Sequence, residues 1–271
     1  MTDQDTESSS VTGQTPQEMI LAEQLDEATT ELERPAEGLF LSALSAGLDI
    51  GFGPLLMAAV ATLAVGVWSE AATTLVLANL YSVGFIFVVL GRSELFTEHT
   101  TLAVIPVLDG RASLTDLGRL WGLVYAGNIL GASVFAVLAV AVAPAFGIAD
   151  QSAFVFIGEK LVGHSAGVLF AGAVLAGWLM GLLSWLVSAA QETVSRTLFV
   201  WVVATTIGIT HLPHSIAGTV EVLAAVLVDP AMGLATFAEF LVVSSGGNAL
   251  GGGVFVALLK YGHVVRGAGS P

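Results

Sequence analysis

The stretch GNILGASVFAVL, Gly127 to Leu138, returns as GNALGGGVFVAL, Gly247 to Leu258. Seven of the twelve positions are identical, at an offset of 247 − 127 = 120 residues. The first copy lies in the third apolar span and the second in the sixth. Three crossings separate them, so the second copy runs the opposite way. Two homologous halves inserted upside down relative to each other form an architecture that places a site near the bilayer midplane, where the halves meet. The same offset pairs Glu94 with His214, both in polar interruptions of apolar stretches.

Composition agrees with a membrane address and excludes a soluble enzyme. Of 271 residues 55% are hydrophobic and 11% charged, and mean hydropathy is +0.86. Uncharged runs of spanning length occupy Ile50 to Ser69, Ala71 to Gly91, Leu120 to Ala149, Leu161 to Gln191 and Phe240 to Leu259, against the ~20 residues a bilayer requires. A sixth span, fifth in chain order, lies between Arg196 and Asp229 and is broken by His211-Leu212-Pro213-His214. Such a break is tolerated only where it faces protein or water. The expected fold is therefore an all-α polytopic membrane protein, with six spans as two inverted three-helix repeats and broken second and fifth helices.

Threading the spans in order puts Arg34, Arg111, Arg119, Arg196, Lys260 and Arg266 on one side and only Lys160 on the other. The positive-inside rule then makes both termini cytoplasmic in a plasma-membrane protein. Residues 1 to 37 are acidic and lack the apolar core of a cleavable signal, so the first span serves as the insertion signal. This segment carries 10 of the 22 acidic residues and one Arg. Its first 15 or so residues have the composition of a disordered chain. Met19 to Leu32 suits an amphipathic helix on the cytoplasmic face, read here as a solvated one. Residues 38 to 262 form the membrane domain and 263 to 271 a short tail. The net charge of −14 disfavours nucleic acid as a partner, and zero cysteines exclude thiolate chemistry.

Polar groups at membrane depth are costly and so point to function. The richest cluster runs from Arg92 through Glu94, Leu95, Phe96, Thr97, Glu98 and His99 to Thr101. It reads as a second broken helix; the competing reading is a solvent-exposed loop after a complete span. In the other break, His211 and His214 offer imidazoles that titrate near neutral pH. A half-helix beginning at His214 would favour an anion at its free N–H groups. Asn128 and Asn248 head the repeated phrase, and their expected role is structural, bonding the carbonyls freed at the breaks. Asp49 lies beside a span with Arg92 as its partner by depth, and Trp68 and Trp121 suit interfacial anchors.

These residues resemble the formate/nitrite transporter family. The resemblance rests on Ser93-Glu94-Leu95-Phe96-Thr97, on Leu117-Gly118-Arg119-Leu120-Trp121 running into Val124-Tyr125-Ala126-Gly127-Asn128, on His214-Ser215-Ile216-Ala217, and on Gly247-Asn248 before Gly251-Gly252-Gly253. It covers about Gly38 to Gly262. The acidic N-terminus and the Glu98-His99 pair are similar to the divergent YfdC-like branch. The resemblance implies an aquaporin-like fold and a homopentamer with one pore per protomer. It also implies passage of small monovalent anions or their weak acids, with protons and the lipid bilayer as the other partners and no cofactor. The family's pore histidine falls on His214 and its loop threonine on Thr97, with Phe96 and Leu95 at an apolar constriction. The vestibule lysine aligns with Leu161, one position beyond Lys160. Glu98 and His99 replace the usual Ser/Thr-rich continuation of the loop, and Pro213 replaces the glutamate that commonly precedes the histidine.

Energetics favour a proton-linked passage. Protonating a carboxylate of pKa ~3.7 at pH 7 costs roughly 4.5 kcal/mol, whereas an idealised transfer of the anion into low dielectric costs on the order of 20 kcal/mol. The expectation is that the anion takes a proton at or near His214. Three rivals are a neutral-solute aquaporin-like channel, opposed by the absence of twin Asn-Pro-Ala motifs; a membrane metalloenzyme using His211, His214 and the nearby glutamates; and a pentameric scaffold without a conducting pore.

Overall fold

The computed structural model describes residues 16–267; the segment read above as disordered lies outside them. Among the described residues thirteen α-helices follow one another, and six stretches, two of them joining more than one helix, are long and apolar enough to cross a membrane. Helix α1 (Pro16–Glu33) precedes the first span, made of α2 (Ala36–Asp49) and α3 (Phe52–Ala64). The second span is α4 (Glu70–Leu90), followed after a break by α5 (Phe96–Leu102) and α6 (Val104–Leu108). The third is α7 (Leu114–Val142); a short α8 (Gln151–Glu159) leads to the fourth, α9 (Ala166–Ala189). The fifth is α10 (Thr193–Thr210), a break and α11 (Ser215–Val228), and the sixth is α12 (Leu234–Leu250), a π-helical segment (Gly251–Leu258) and α13 (Leu259–Gly267).

The first span begins at Ala36, earlier than the uncharged run from Ile50, because Leu39, Ala43, Ala46 and Gly47 form a buried face on α7 that outweighs the polar residues beside them. Asp49 thus falls inside the helix, where it accepts a hydrogen bond from Ser45 at 3.1 Å. Arg92 is exposed, and no ion pair joins it to Asp49 among the described residues. The two halves repeat their packing: α2 runs along α7 as α9 runs along α12, while α4 and α10 pack on each other between them. Tyr125 and Ser245, equivalent positions 120 residues apart, hydrogen-bond each other at 2.9 Å. Equivalent residues can touch only on the axis relating the halves.

Small residues make the close approaches possible. A Cβ on Gly47 would collide with the Asn128 carbonyl oxygen and one on Gly131 with that of Leu44; in the other half Gly177 meets Asn248 and Gly251 meets Val174 in the same way. The repeated phrase differs in one respect, since its second copy is π-helical from Gly251. The widened turn lays Gly252 against Thr100 and Thr101 of α5, where the first copy has Ala132. Helix α7 starts in a capping box, Ser113 accepting from the Asp116 N–H while the Asp116 carboxylate accepts from the Ser113 N–H. Ser113→Ala should cost about 1 kcal/mol in a thermal melt.

The acidic N-terminal helix is docked rather than solvated. Leu21 and Leu25 pack in one buried cluster with Ile105, Trp185, Ala257 and Val264. Its apolar stripe finds a partner because the ends of the second, fourth and sixth spans leave an apolar surface on the same side.

Candidate functional site

Both breaks are built to one plan. Their turning residues, Arg92 with φ 54° and His211 with φ 49°, are the two non-glycine residues with positive φ among those described. They are 211 − 92 = 119 residues apart. Each break is then clamped by one asparagine. The Asn128 Oδ1 accepts the Phe96 N–H at 2.8 Å, and its Nδ2 donates to the carbonyls of Glu94 and Ala43, both at 2.8 Å. The Asn248 Oδ1 accepts the Ser215 N–H at 2.8 Å, and its Nδ2 donates to Pro213 and Ala173 at 2.9 and 2.8 Å. Both side chains are fully buried, where an unbonded backbone group has no water to turn to.

This plan corrects one sequence expectation. Equivalence at the breaks has an offset of 119, not 120, so His214 corresponds to Leu95 and Glu94 to Pro213. The second half has one extra residue between its break and its copy of the repeated phrase. Glu94 and His214 do not face each other as a symmetric pair.

The chain after α4 is not a solvent-exposed loop, although α4 alone has 21 residues. Glu94, Leu95, Phe96 and Thr97 are buried, and α5 presents no exposed residue. At the N-terminus of α11, His214 meets the first turn of α5: His214 Nε2 lies 2.7 Å from Thr97 Oγ1. The His214 Nδ1 accepts the Ala217 N–H at 3.2 Å, capping α11. That bond fixes the tautomer, since a ring accepting at Nδ1 carries its proton at Nε2 and donates it to Thr97. Phe85 packs edge-on to the imidazole at 4.9 Å. Phe96 is held edge-on by Tyr125 at 4.8 Å and Trp121 at 5.9 Å. Trp121 also donates to the His99 carbonyl at 3.1 Å, so it is a support of α5 rather than an interfacial anchor.

Two cavities open at opposite ends of α4, which spans 20 residue steps, or about 30 Å. The larger, about 580 Å³, is lined by Glu27, Glu31, Arg34, Glu94, Glu98 and His99 among others. Arg34 pairs with Glu94, and His99 is held between Glu94 at 2.6 Å and Glu31 at 2.9 Å. Burial, with the neighbouring Glu31 second, pushes the Glu27 carboxyl on α1 up. The smaller cavity, about 180 Å³, is lined by Lys160, His211, Glu221, Trp68 and Glu70. Lys160 lies 3.8 Å from Glu70 and over the Phe156 ring, and Leu161 is buried against Phe240. Lys160 is thus the cation at this mouth. Thr97, His214, Leu95 and Phe96 line neither cavity.

The family model for formate/nitrite transporters matches residues 17–262. The chain belongs to the formate/nitrite transporter family. It is 34% identical to the inner membrane protein YfdC of Escherichia coli (strain K12) over 240 residues, covering 86% of this chain and 74% of that protein, which places it with the YfdC-like branch. Two solved structures share its fold. An FNT family ion channel superposes with TM-score 0.79 at 23% identity, over 89% of this chain and 97% of that one. A pentameric formate channel with formate bound gives TM-score 0.69 at 24% identity, over 85% and 98%. The family is one of multi-pass membrane transporters and channels, not of enzymes, and its members carry small anions.

The metalloenzyme reading also loses its proposed ligands. Among the described residues, the cluster of His and carboxylate groups whose potential ligand atoms all lie within 4.8 Å of one another is Glu31, Glu94 and His99, without His211 or His214. Glu31 of that cluster and Arg34, which pairs with Glu94, are not singled out as site residues by the sequence. The signal available was weak: a lone Arg closing an acidic helix just before the first span.

Proposed function

We propose that this family member is a channel or transporter that passes small monovalent anions of the formate class, or their weak acids, with proton linkage. It acts as a homopentamer with one pathway per protomer and with both termini cytoplasmic. The observation that carries the reading is the Thr97–His214 contact, a buried hydroxyl and imidazole at the meeting point of two asparagine-clamped helix starts. Pentameric assembly and formate as cargo are supported by the similar pentameric formate channel, and orientation by the basic residues sharing one side.

In this reading Leu95 and Phe96 form the apolar constriction and Lys160 attracts anions at the opposite mouth. His214 acts as a neutral hydrogen-bond donor. Protonating it would require Nδ1 to release the Ala217 N–H, leaving a buried donor unpaired at a cost of about 1–3 kcal/mol. The Nε2–H can turn from Thr97 to an oxygen of the passing solute without that loss.

Formate uptake into liposomes with and without an inward proton gradient tests the function. Gradient-dependent uptake is expected in the wild type. In His214→Phe it should fall by on the order of tenfold or more, the worth of about 1.4 kcal/mol from one lost hydrogen bond. A variant with the wild-type rate and pH dependence removes His214 from the pathway; a wild type that passes no weak acid removes the transport reading for this substrate class.

A further inference from the structure

Two buried histidines lie near the breaks, and their bonding differs in kind. His214 has Nδ1 tied to a backbone N–H and Nε2 to a hydroxyl. His99 has a carboxylate at each nitrogen: Glu94 Oε2 lies 2.6 Å from Nε2, and Glu31 Oε2 lies 2.9 Å from Nδ1. A ring between two carboxylates is stabilised with both nitrogens protonated, and one of those protons can leave without orphaning a donor. The two ends are unequal. Nε2 makes an aligned hydrogen bond, whereas Nδ1 and Glu31 Oε2 face each other without one. The Nδ1 proton is therefore the loosely held one.

We propose that His99, through its Nδ1 proton and with Glu31 of the N-terminal helix as its acid–base partner, is the residue that exchanges a proton with a small carboxylate in the large cavity. The proposal rests on the transport reading above. The ring lines that cavity, and Glu31, with its side chain 15% exposed, connects Nδ1 to water. An anion entering from this side meets the charged site: the Nδ1–H bond breaks, its proton passes through the Glu31 carboxylate, and an O–H bond forms on the solute. The products are the neutral acid and a neutral His99 still donating from Nε2 to Glu94. Water recharges Nδ1 through Glu31, and an acid arriving from the pore runs the same step backwards. Arg34 neutralises the other oxygen of Glu94, so Glu94 remains ionised and keeps Nε2 protonated throughout.

The charged groups facing this ring come from every neighbouring element. Helix α1 brings Glu23, Asp26, Glu27 and Glu31 to the cavity, the following connection Arg34, the break Arg92 and Glu94, its own helix Glu98, and α10 Arg196; the polar groups of α9 there are Ser184 and Ser188. The trio is not a metal cage. A separation of 2.6 Å between Nε2 and Glu94 is a hydrogen-bond distance, shorter than the ~3.4 Å between ligands placed at about 2.1 Å around a tetrahedral ion.

The test uses full-length protein labelled with ¹⁵N-histidine in lipid bilayers, with His99→Gln assigning its signal among five histidines. At about pH 6 both ring nitrogens of His99 should be protonated, and Glu31→Gln should remove the Nδ1 proton. A neutral His99 with one fixed tautomer between about pH 5 and pH 8 overturns the proposal, as does a divalent ion found bound at the ring. In liposomes, the response of formate uptake to a proton gradient should drop by on the order of tenfold or more in Glu31→Gln and return in Glu31→Asp; an unchanged response overturns it. A wild type that carries no formate sinks the transport reading, and the ring spectrum then decides by itself whether Nδ1 exchanges its proton.

Discussion

Asn248→Ala unfolds the second break. The substitution strips the Ser215 N–H and the Pro213 carbonyl of their partner in a site from which water is excluded. Two buried orphans at about 1–3 kcal/mol each give an expected loss of about 2–6 kcal/mol. Asn128→Ala acts identically on the Phe96 N–H and the Glu94 carbonyl. Asn→Asp does not repair either site, because a carboxylate accepts from the N–H but repels the two carbonyls that the amide had bonded. Thermal unfolding of the detergent-solubilised protein reads the effect, with Asn79→Ala as control. Asn79 is exposed, bonding Leu75 and Trp201, and its loss should cost under about 1 kcal/mol. A melting curve for Asn248→Ala that overlays the control would show the clamp to be dispensable.

Gly177→Ala and Gly47→Ala come next in size. In each case the added methyl would overlap the backbone carbonyl oxygen of the clamping asparagine, Asn248 or Asn128. Backbone cannot rotate away, so the helix pair must separate, and separation stretches the bonds from the same asparagine to Ala173 or Ala43. Overpacking alone costs about 1–3 kcal/mol, and the loss of the clamp bond adds to it. The contrast lies within the same architecture. Gly118 and Gly122 sit in the helical interior of α7 with nothing near their Cβ positions, so alanine there should stabilise the helix by about 0.5–1 kcal/mol. If all four substitutions move the melting temperature alike, close packing at Gly47 and Gly177 is not what holds the spans together.

Much of the architecture was legible because its signals are one-dimensional. Apolar runs of spanning length and a twelve-residue repeat need no knowledge of contacts, and they suffice for six spans in two inverted halves. The clamping asparagines were legible for the same reason, since each heads a copy of the repeat. The pairing of Glu94 with His214 fails because an offset measured in the repeat does not hold across a one-residue insertion in the second half. Backbone φ and the asparagine bonds fix the true register. Trp121 reads as an interfacial anchor and Arg34 only as a cytoplasmic charge, because a sequence shows their chemistry but not their neighbour.

By itself, then, the sequence determined what is set by period, length and composition: a six-span inverted repeat, breaks in the second and fifth spans, a glycine-and-asparagine phrase at each, and Thr97 and His214 among the polar residues of those breaks. The tertiary structure alone decided which polar atoms face one another. It placed Thr97 at one nitrogen of His214 and the Ala217 N–H at the other. It folded α1 back over the bundle, so that Glu31 and Glu94, 63 positions apart, close on the two sides of His99. Contacts of that separation depend on the whole packing of the spans, because the chemistry of a buried histidine is set by the two atoms its nitrogens touch.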